Sequence, residues 1–152
     1  MPIIEETIEI AAPRANVFKL CQQLNRWPEW NEQVSHVEMV SPAPLRSGSW
    51  LRIDSKPGRG TVFSWDAELM EIQMPSSLRL RVMDVAKSSP FAPGSELTWQ
   101  LESVGSGTRF TWRWDYQPQG IISKITDKLG GQSAARRTIQ QSLENLRATL
   151  VG

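Results

Sequence analysis

The side chains that carry most nucleophilic and metal-dependent chemistry are scarce in this sequence. It contains a single histidine, His36, and a single cysteine, Cys21. Nucleophilic catalysis needs a serine or cysteine beside a base, and a zinc site needs several histidine or cysteine ligands. Cys21 falls on the apolar stripe of a predicted helix, where a buried and inert thiol is expected. Glycine-rich cofactor motifs are also absent, so the sequence predicts no metal site and no cofactor.

General acid–base chemistry remains open to three residues, His36, Asp84 and Tyr116. His36 would titrate near neutral pH if unperturbed, but it alternates with Val37, which favours a position facing solvent. Asp84 shares a strand register with Val82, so a regular strand would point it inward, where it would need a partner. A β-bulge after Val82 would turn Asp84 out instead, and both alternatives stay open at this point.

The third residue, Tyr116, ends a strand of alternating aromatic side chains. Residues 108–117 read TRFTWRWDYQ, so Phe110, Trp112, Trp114 and Tyr116 share one face. Tyr116 could hydrogen-bond a ligand oxygen, or it could close the end of the sheet.

Neighbouring predicted strands add further large side chains to the same inward register. One at a time, such residues are expected in a core that packs against the last helix. As a group they favour a cavity wall, because small-molecule sites are mostly apolar and aromatic, with few polar groups. The predicted ligand-binding residues are Phe63, Trp65, Leu80, Val82, Trp99, Phe110, Trp112, Trp114 and Tyr116.

The motif WPEWN, residues 27–31, has two interpretations. Trp27 and Trp30 are three residues apart on a short helix and can plug the end of the sheet as core. Alternatively, Trp30 and Asn31 rim a pocket.

Hydrophobic periodicity predicts the elements that position these residues. Residues 3–10 alternate as a strand, helical spacing follows Pro13, and Asn25 caps a second short helix that runs through Glu32. Period-two patterns then predict about six further strands. The tail from Ile121 to Leu150 is predicted to be helical, with a kink at Gly130-Gly131 and an apolar stripe formed by Ile139, Leu143, Leu146 and Leu150. The predicted strands lie near 34–41, from Gly48 onward, at 61–72, around Leu78–Val82, around Leu97–Leu101 and after the GSGT turn at 105–108, with further turns at Pro57-Gly58 and Met74-Pro75-Ser76.

Length and composition limit the class of protein. A chain of 152 residues suits a single domain, residues 1–152, which needs neither a disulfide nor a metal to fold. A net charge of +1 gives no global attraction to nucleic acid or acidic lipid. No apolar run approaches the ~18 residues of a transmembrane helix, and MPIIEETIEI lacks a signal-peptide pattern. We therefore expect a cytoplasmic protein without nucleic-acid binding or membrane insertion.

Two locally basic segments are expected to be solvated surface. The alternatives are that the first segment binds phosphate and that the second, or the edge of the sheet, contacts a partner. A homodimer also stays open. These segments comprise Arg46, Arg52, Lys56 and Arg59 in a hairpin, and Arg136, Arg137 and Arg147 on the last helix.

Five segments of the chain together resemble a known family. They are IEIAAPRANVFKL (8–20), WPEWN (27–31), PSSLRLR (75–81), GSGTRFTW (105–112) and LENLRATL (143–150). The chain resembles the polyketide cyclase/dehydrase branch of the START-related SRPBCC superfamily. The resemblance implies an α+β helix-grip fold, with a curved antiparallel sheet of about seven strands around a long C-terminal helix and two short helices after the first strand. It also implies an apolar cavity between sheet and helix.

The resemblance and the aromatic face lead to two main hypotheses. The first is a protein that binds a hydrophobic small molecule, such as a lipid, polyketide, quinone or sterol, without a metal. The second is a cyclase or dehydratase that uses Asp84, Tyr116 or His36 to move protons in the same cavity. A polar pair within hydrogen-bond reach inside the cavity would favour the second.

Overall fold

One antiparallel sheet and a long C-terminal helix dominate the computed structural model. The structure describes residues 2–56, 62–120, 124–125 and 127–151, and for Leu129 it describes the backbone only. The elements are β1 (Ile3–Ile10), α1 (Arg14–Gln22), α2 (Trp27–Trp30), β2 (Val34–Met39), β3 (Trp50–Ser55), β4 (Phe63–Gln73), β5 (Ser77–Val85), β6 (Glu96–Val104), β7 (Gly107–Asp115) and α3 (Gln132–Val151). The predicted α+β order is confirmed. The predicted turn at 57–60 with Arg59, position 61 and the helical start at 121–123 lie outside the described residues.

The seven strands form one sheet in the order β1-β7-β6-β5-β4-β3-β2. From β2 to β7 every strand pairs with its sequence neighbour, which is the pattern of a meander. The first strand instead pairs with the last, so α1 and α2 connect opposite edges of the sheet. Two register shifts in the pairing of β4 with β5, at Met83 of β5 and at Met70 of β4, mark bulges, which bend a strand and increase its twist. The sheet curls into a half-barrel, as expected for a helix-grip fold.

The two faces of the sheet differ as the alternation predicted. Along β4, Phe63, Trp65, Ala67 and Leu69 are buried, whereas the residues between them are partly or fully exposed. The outer face carries ion pairs that join neighbouring strands and remain in contact with solvent. These pairs are Glu5 with Arg113, Glu9 with Arg109, Arg52 with Asp66, and Arg79 and Arg81 with Glu96.

The second short helix is shorter than predicted, and the expected Asn25 cap is wrong. The helix α2 begins at Trp27 after a 3₁₀ turn that contains Asn25, and its N-cap residue, Arg26, makes no side-chain capping bond. Its position is set by Trp27 instead, because the indole Nε1 donates to the Cys21 carbonyl of α1 at 2.9 Å. The break between α1 and α2 is therefore held by the buried Trp27 side chain.

The helix α3 lies against the sheet through Ile139, Leu143 and Leu146, which are fully buried. It is fastened to the edge strand β1 by Glu6, whose Oε1 accepts hydrogen bonds from Arg136 Nη1 at 3.1 Å and Gln140 Nε2 at 2.7 Å. These contacts explain an exception in β1, where Glu6 occupies the inward register between Ile4 and Ile8. The predicted apolar stripe of the helix is thus confirmed, and a polar contact secures it.

Further bonds join α3 to the segment that follows α2. Ser142 Oγ accepts the Glu32 backbone N–H at 2.9 Å, and Asn145 Nδ2 donates to the Trp30 carbonyl and to Glu32 Oε1. Just before α3, Gly130 has φ 132°, a backbone conformation that favours glycine, so the predicted kink is confirmed. No helix in the described part of the chain has the length and apolarity needed to cross a bilayer.

Candidate functional site

A cavity of about 920 Å³ lies between the inner face of the sheet and α3. The sheet side of this cavity is aromatic and includes Phe63 from β4, Trp114 from β7 and Tyr116 just beyond it. The helix side is made of small and polar residues, among them Ala134 and Ala135. Bulky residues on one wall thus face small residues on the other.

Phe91, which the sequence did not single out, completes the aromatic wall from the loop between β5 and β6. Its ring makes edge-to-face contacts with Phe63, Trp65 and Trp114 at centroid distances of 5.6, 5.3 and 5.2 Å. Gln119 fixes this loop, because its Nε2 donates to the carbonyls of Ala86 and Ser89 at 3.1 Å each.

A small recess of about 30 Å³ shares part of this wall with the main cavity. Phe91 and Trp114 line both spaces. A recess of this size holds one or two water molecules at most. Of the predicted ligand-binding residues, Trp65, Leu80 and Trp112 line the recess and not the main cavity.

The remaining inward residues belong to a solid aromatic core. Trp99 is fully buried, with ring centroids of Trp27, Trp30 and Trp112 at 5.1, 5.2 and 5.4 Å, and it also contacts Phe110 at 6.0 Å. The two tryptophans of WPEWN therefore act as a plug, and they fill the space that Trp99 was expected to border.

Part of the predicted ligand-binding set lies away from the main cavity. Val82, Trp99 and Phe110 line neither the main cavity nor the recess. Trp99 instead packs against Trp27 and Trp30 of α2. Asn31, by contrast, is buried and lines the recess.

Tyr116 and Asp127 form a hydrogen-bonded pair in the cavity wall. The Tyr116 hydroxyl donates to Asp127 Oδ1 at 2.6 Å, and Gln132 Nε2 donates to Asp127 Oδ2 at 2.9 Å. Burial raises the pKa of the Tyr116 hydroxyl, and the hydrogen bond and negative charge of Asp127 raise it further. Tyr116 therefore keeps its proton at neutral pH. The Trp114 ring stacks on Tyr116, with centroids 5.5 Å apart and planes 6° from parallel.

The other two acid–base candidates lie outside the cavity. His36 is exposed, with its Nε2 3.9 Å from Glu38, as its alternation with Val37 predicted. The inward alternative for Asp84 is wrong, because Asp84 pairs with Asp66 while Val82 pairs with Ala67. The bulge that contains Met83 turns Asp84 onto the exposed face.

Exposed charged and polar residues also border the cavity. Glu32 and Lys56 follow α2 and β3, and Arg137 and Gln141 lie one turn apart on α3. All four are exposed, so they mark where the cavity meets solvent. Within the described ranges, no three His, Cys, Asp or Glu side chains converge in a way that could hold a metal ion.

The sequence pattern of one protein family matches residues 1–151. The family is described as polyketide cyclase/dehydrase and lipid transport. The chain belongs to this family. A candidate polyketide cyclase of Streptomyces cyaneus is 28% identical over 113 residues, which are 74% of this chain and 70% of the relative.

Solved structures share the fold of this family member. TTHA0849 from Thermus thermophilus has a TM-score of 0.81 at 19% identity, over 99% of this chain and 97% of that chain. The Zhui aromatase/cyclase from Streptomyces sp. R1128 has a TM-score of 0.79 at 12% identity, over 98% and 93%. A START superfamily protein from Mycobacterium smegmatis has a TM-score of 0.75 at 15% identity, over 97% and 96%. At these identities the likeness shows the fold alone.

For this family member, the elements and the aromatic wall were accessible from sequence, whereas two key residues were not. Phe91 lies in a loop of serine, proline and glycine, where no periodicity assigns a direction. Asp127 lies in the irregular segment before α3, and no periodicity predicts that it approaches Tyr116. The sequence signal available for Asp127 was an acidic residue three positions before the Gly130-Gly131 pair.

Proposed function

We propose that this protein binds a hydrophobic small molecule, of lipid, polyketide, quinone or sterol type, in the cavity between the sheet and α3. The observation that most strongly supports this proposal is the cavity, which is about 920 Å³ in volume and is lined by Phe63, Phe91, Trp114 and Tyr116. Its volume lies in the ~300–1,000 Å³ range of small-molecule sites, and its aromatic wall with a few polar groups is typical of them.

The arrangement of side-chain sizes supports a binding role. Large residues fill the space around Trp99 to a solid core. At the cavity, the facing residues of α3 are Gly131, Ala134, Ala135 and Thr138. Small residues on the helix thus keep the space open, although the chain has enough aromatic bulk to fill its interior elsewhere.

The test is a cavity-filling substitution combined with ligand titration. Ala134→Trp places an indole in the cavity from an exposed helix position, and Ala148→Trp adds the same indole on α3 away from the lining. Purified protein is titrated with sterols, quinones, fatty acids and aromatic polyketides by tryptophan fluorescence, and co-purified molecules are identified by native mass spectrometry. We expect Ala134→Trp to weaken binding at least tenfold and Ala148→Trp to leave it unchanged. A native protein that binds no member of the panel, or an Ala134→Trp variant that binds as the native protein does, would refute the proposal.

A second function, dehydration or cyclisation of a polyketide-like substrate, is supported by the Tyr116–Asp127 pair. In a dehydration, a base removes a proton beside a ketone, and the β-hydroxyl leaves as water after it takes a proton from an acid. The Asp127 carboxylate can accept the first proton, and the Tyr116 hydroxyl can supply the second. Transfer of a proton from Asp127 to Tyr116 across their 2.6 Å hydrogen bond then restores the pair.

Tyr116→Phe tests this second function, because it removes the hydroxyl and keeps the ring that stacks on Trp114. A β-hydroxy ketone that the native protein binds is incubated with each form, and loss of water is followed by mass spectrometry. We expect native turnover at least 100-fold above that of Tyr116→Phe, with ligand affinity retained. Equal rates in both forms would rule out the catalytic role and leave the binding role intact.

A further inference from the structure

We infer that the bound molecule is an amphiphile whose oxyanion head, a carboxylate or a phosphate, lies between Lys56 and Arg137 at the open edge of the cavity. This inference rests on the proposed binding function and names the chemical class of the ligand. It also assigns a role to Lys56 from the basic hairpin segment and to Arg137 from the basic segment of the last helix.

The first observation is that Lys56 and Arg137 border the same cavity from opposite walls. Lys56 directly follows β3, and its backbone N–H donates to the Gln33 carbonyl at 3.0 Å, which fixes where its side chain begins. Arg137 belongs to α3, three residues after Ala134 and four before Gln141. This spacing places all three on one helix face, and that face borders the cavity.

The second observation concerns the bonding partners of the four charged residues that line the cavity, Glu32, Lys56, Asp127 and Arg137. The two carboxylates already accept hydrogen bonds: Glu32 from Asn145, and Asp127 from Tyr116 and Gln132. Across the described part of the chain, the side chains of Lys56 and Arg137 make no salt bridge. The residues outside the description contain no Asp or Glu, so no acidic side chain is missing from this comparison.

Two other arginines of α3 do form salt bridges, so their absence at Arg137 within the described part of the chain is not a general property of the helix. Arg136 pairs with Glu6 and fastens α3 to β1, and Arg147 pairs with Glu144 one turn away. Arg137 instead lines the cavity, where its planar guanidinium can bind a carboxylate or phosphate through two parallel hydrogen bonds. The Lys56 ammonium adds a second positive charge from the opposite wall.

The rest of the cavity suits the apolar body of such a molecule. Phe63, Phe91 and Trp114 offer apolar surface in the same cavity. A ligand with an oxyanion head can therefore place its charge at the wet edge and its body against the aromatic wall. An uncharged ligand of the same length gains only the second contact.

The test compares ligands that share a chain and differ in the head group. Palmitate, hexadecyl phosphate and hexadecanol are titrated at low salt into the native protein, into Lys56→Gln/Arg137→Gln and into Lys19→Gln/Arg147→Gln. The last variant loses the same two charges at exposed sites away from the cavity lining. Binding is followed by isothermal titration calorimetry.

We expect the native protein and the control variant to bind at least one of the two anions about tenfold more tightly than hexadecanol. In Lys56→Gln/Arg137→Gln this preference disappears while hexadecanol binding stays the same, which also shows that the variant is folded. A preference for palmitate or for hexadecyl phosphate assigns the head as carboxylate or phosphate.

Two results would overturn the inference and leave the proposed function standing. One is equal affinity of the native protein for hexadecanol and both anions, or binding of neutral panel members alone. The other is an anion preference that survives in Lys56→Gln/Arg137→Gln. A native protein that binds none of these probes and none of the wider panel would overturn both proposals.

Discussion

Trp112 and Trp114 are two residues apart on one face of β7, yet they have different surroundings. Trp112 is buried against Trp99 and Trp30, with ring centroids at 5.4 and 6.2 Å. Trp114 is half-buried, stacks on Tyr116 and borders the cavity. The transition from core to cavity wall therefore falls within one strand, between adjacent inward positions.

This difference predicts unequal effects of the same substitution. Trp112→Ala should lower the free energy of unfolding by about 3–5 kcal/mol, because it leaves a void among packed rings. Trp114→Ala should lower it by less, since one side of its ring already borders empty space, but it should weaken ligand binding. Urea denaturation of both variants checks the comparison. Equal losses of stability would show that the two residues have the same packing.

The single cysteine provides a second prediction at this scale. Cys21 is fully buried, and desolvation raises the pKa of its thiol. The unfolded chain therefore releases this proton at a lower pH than the folded chain, so Cys21 contributes to a fall in the free energy of unfolding above about pH 8.5. Folded protein at pH 8 should resist iodoacetamide and react only when urea unfolds it. Rapid alkylation without denaturant would contradict the burial of this thiol.

At the scale of elements, α3 presents two faces with different tasks. Ile139, Leu143 and Leu146 pack against the sheet, whereas Ala134, Arg137 and Gln141 border the cavity. The geometry of the cavity therefore depends on how firmly the helix is held. Glu6 is the contact that holds its first half to β1.

Glu6→Ala tests this contact against a matched exposed site. The Glu6 side chain is 20% exposed, whereas that of Glu9 on the same strand is 66% exposed. Loss of the two hydrogen bonds from Arg136 and Gln140 should reduce the free energy of unfolding by about 1 kcal/mol, and Glu9→Ala should change it by less than about 0.5 kcal/mol. Thermal and urea unfolding of the two variants give the measurement. The same change in both would mean that Glu6 does not fasten the helix.

Sequence periodicity predicted the elements well because it reads local information. The alternation in β4 and β7 fixed which residues face inward, and the spacing of Ile139, Leu143 and Leu146 fixed the buried side of α3. Features that depend on how two strands pair were harder to predict from the sequence. Asp84 faces outward because of a bulge, which depends on how β5 pairs with β4 and not on the order of residues around Asp84.

The candidate site was less predictable for the same physical reason. The wall includes Phe91 from an irregular loop, and the acid–base pair includes Asp127 from the kinked approach to α3. The positions of both residues are set by side-chain contacts, namely the Gln119 bonds to the loop and the bonds that Tyr116 and Gln132 donate to Asp127. Sequence alone also could not show that Trp27 and Trp30 fill the space beside Trp99.

At the scale of the whole molecule, the inside of the sheet has a solid part and a hollow part. The solid part surrounds Trp99 and Trp112 in the middle of β6 and β7, under the α2 plug. The hollow part lies near Ser55 and Phe63, where β3 ends and β4 begins. The same fold thus supplies a rigid base and a less densely packed region that can accept a ligand.

This division predicts two classes of amide hydrogen exchange in the protein without ligand. Amides around Trp99 and Trp112 should exchange only on global unfolding, whereas those around Ser55 and Phe63 should exchange faster, because fewer packed side chains oppose local opening there. Ala134→Trp, which fills the cavity, should slow the second class and leave the first unchanged. Exchange measured by mass spectrometry on peptides from 50–56, 62–70 and 96–115 separates the two classes, with Ala148→Trp as control. Uniform protection across these peptides, or an Ala134→Trp variant with native exchange at 62–70, would show that the hollow part is as firmly packed as the core.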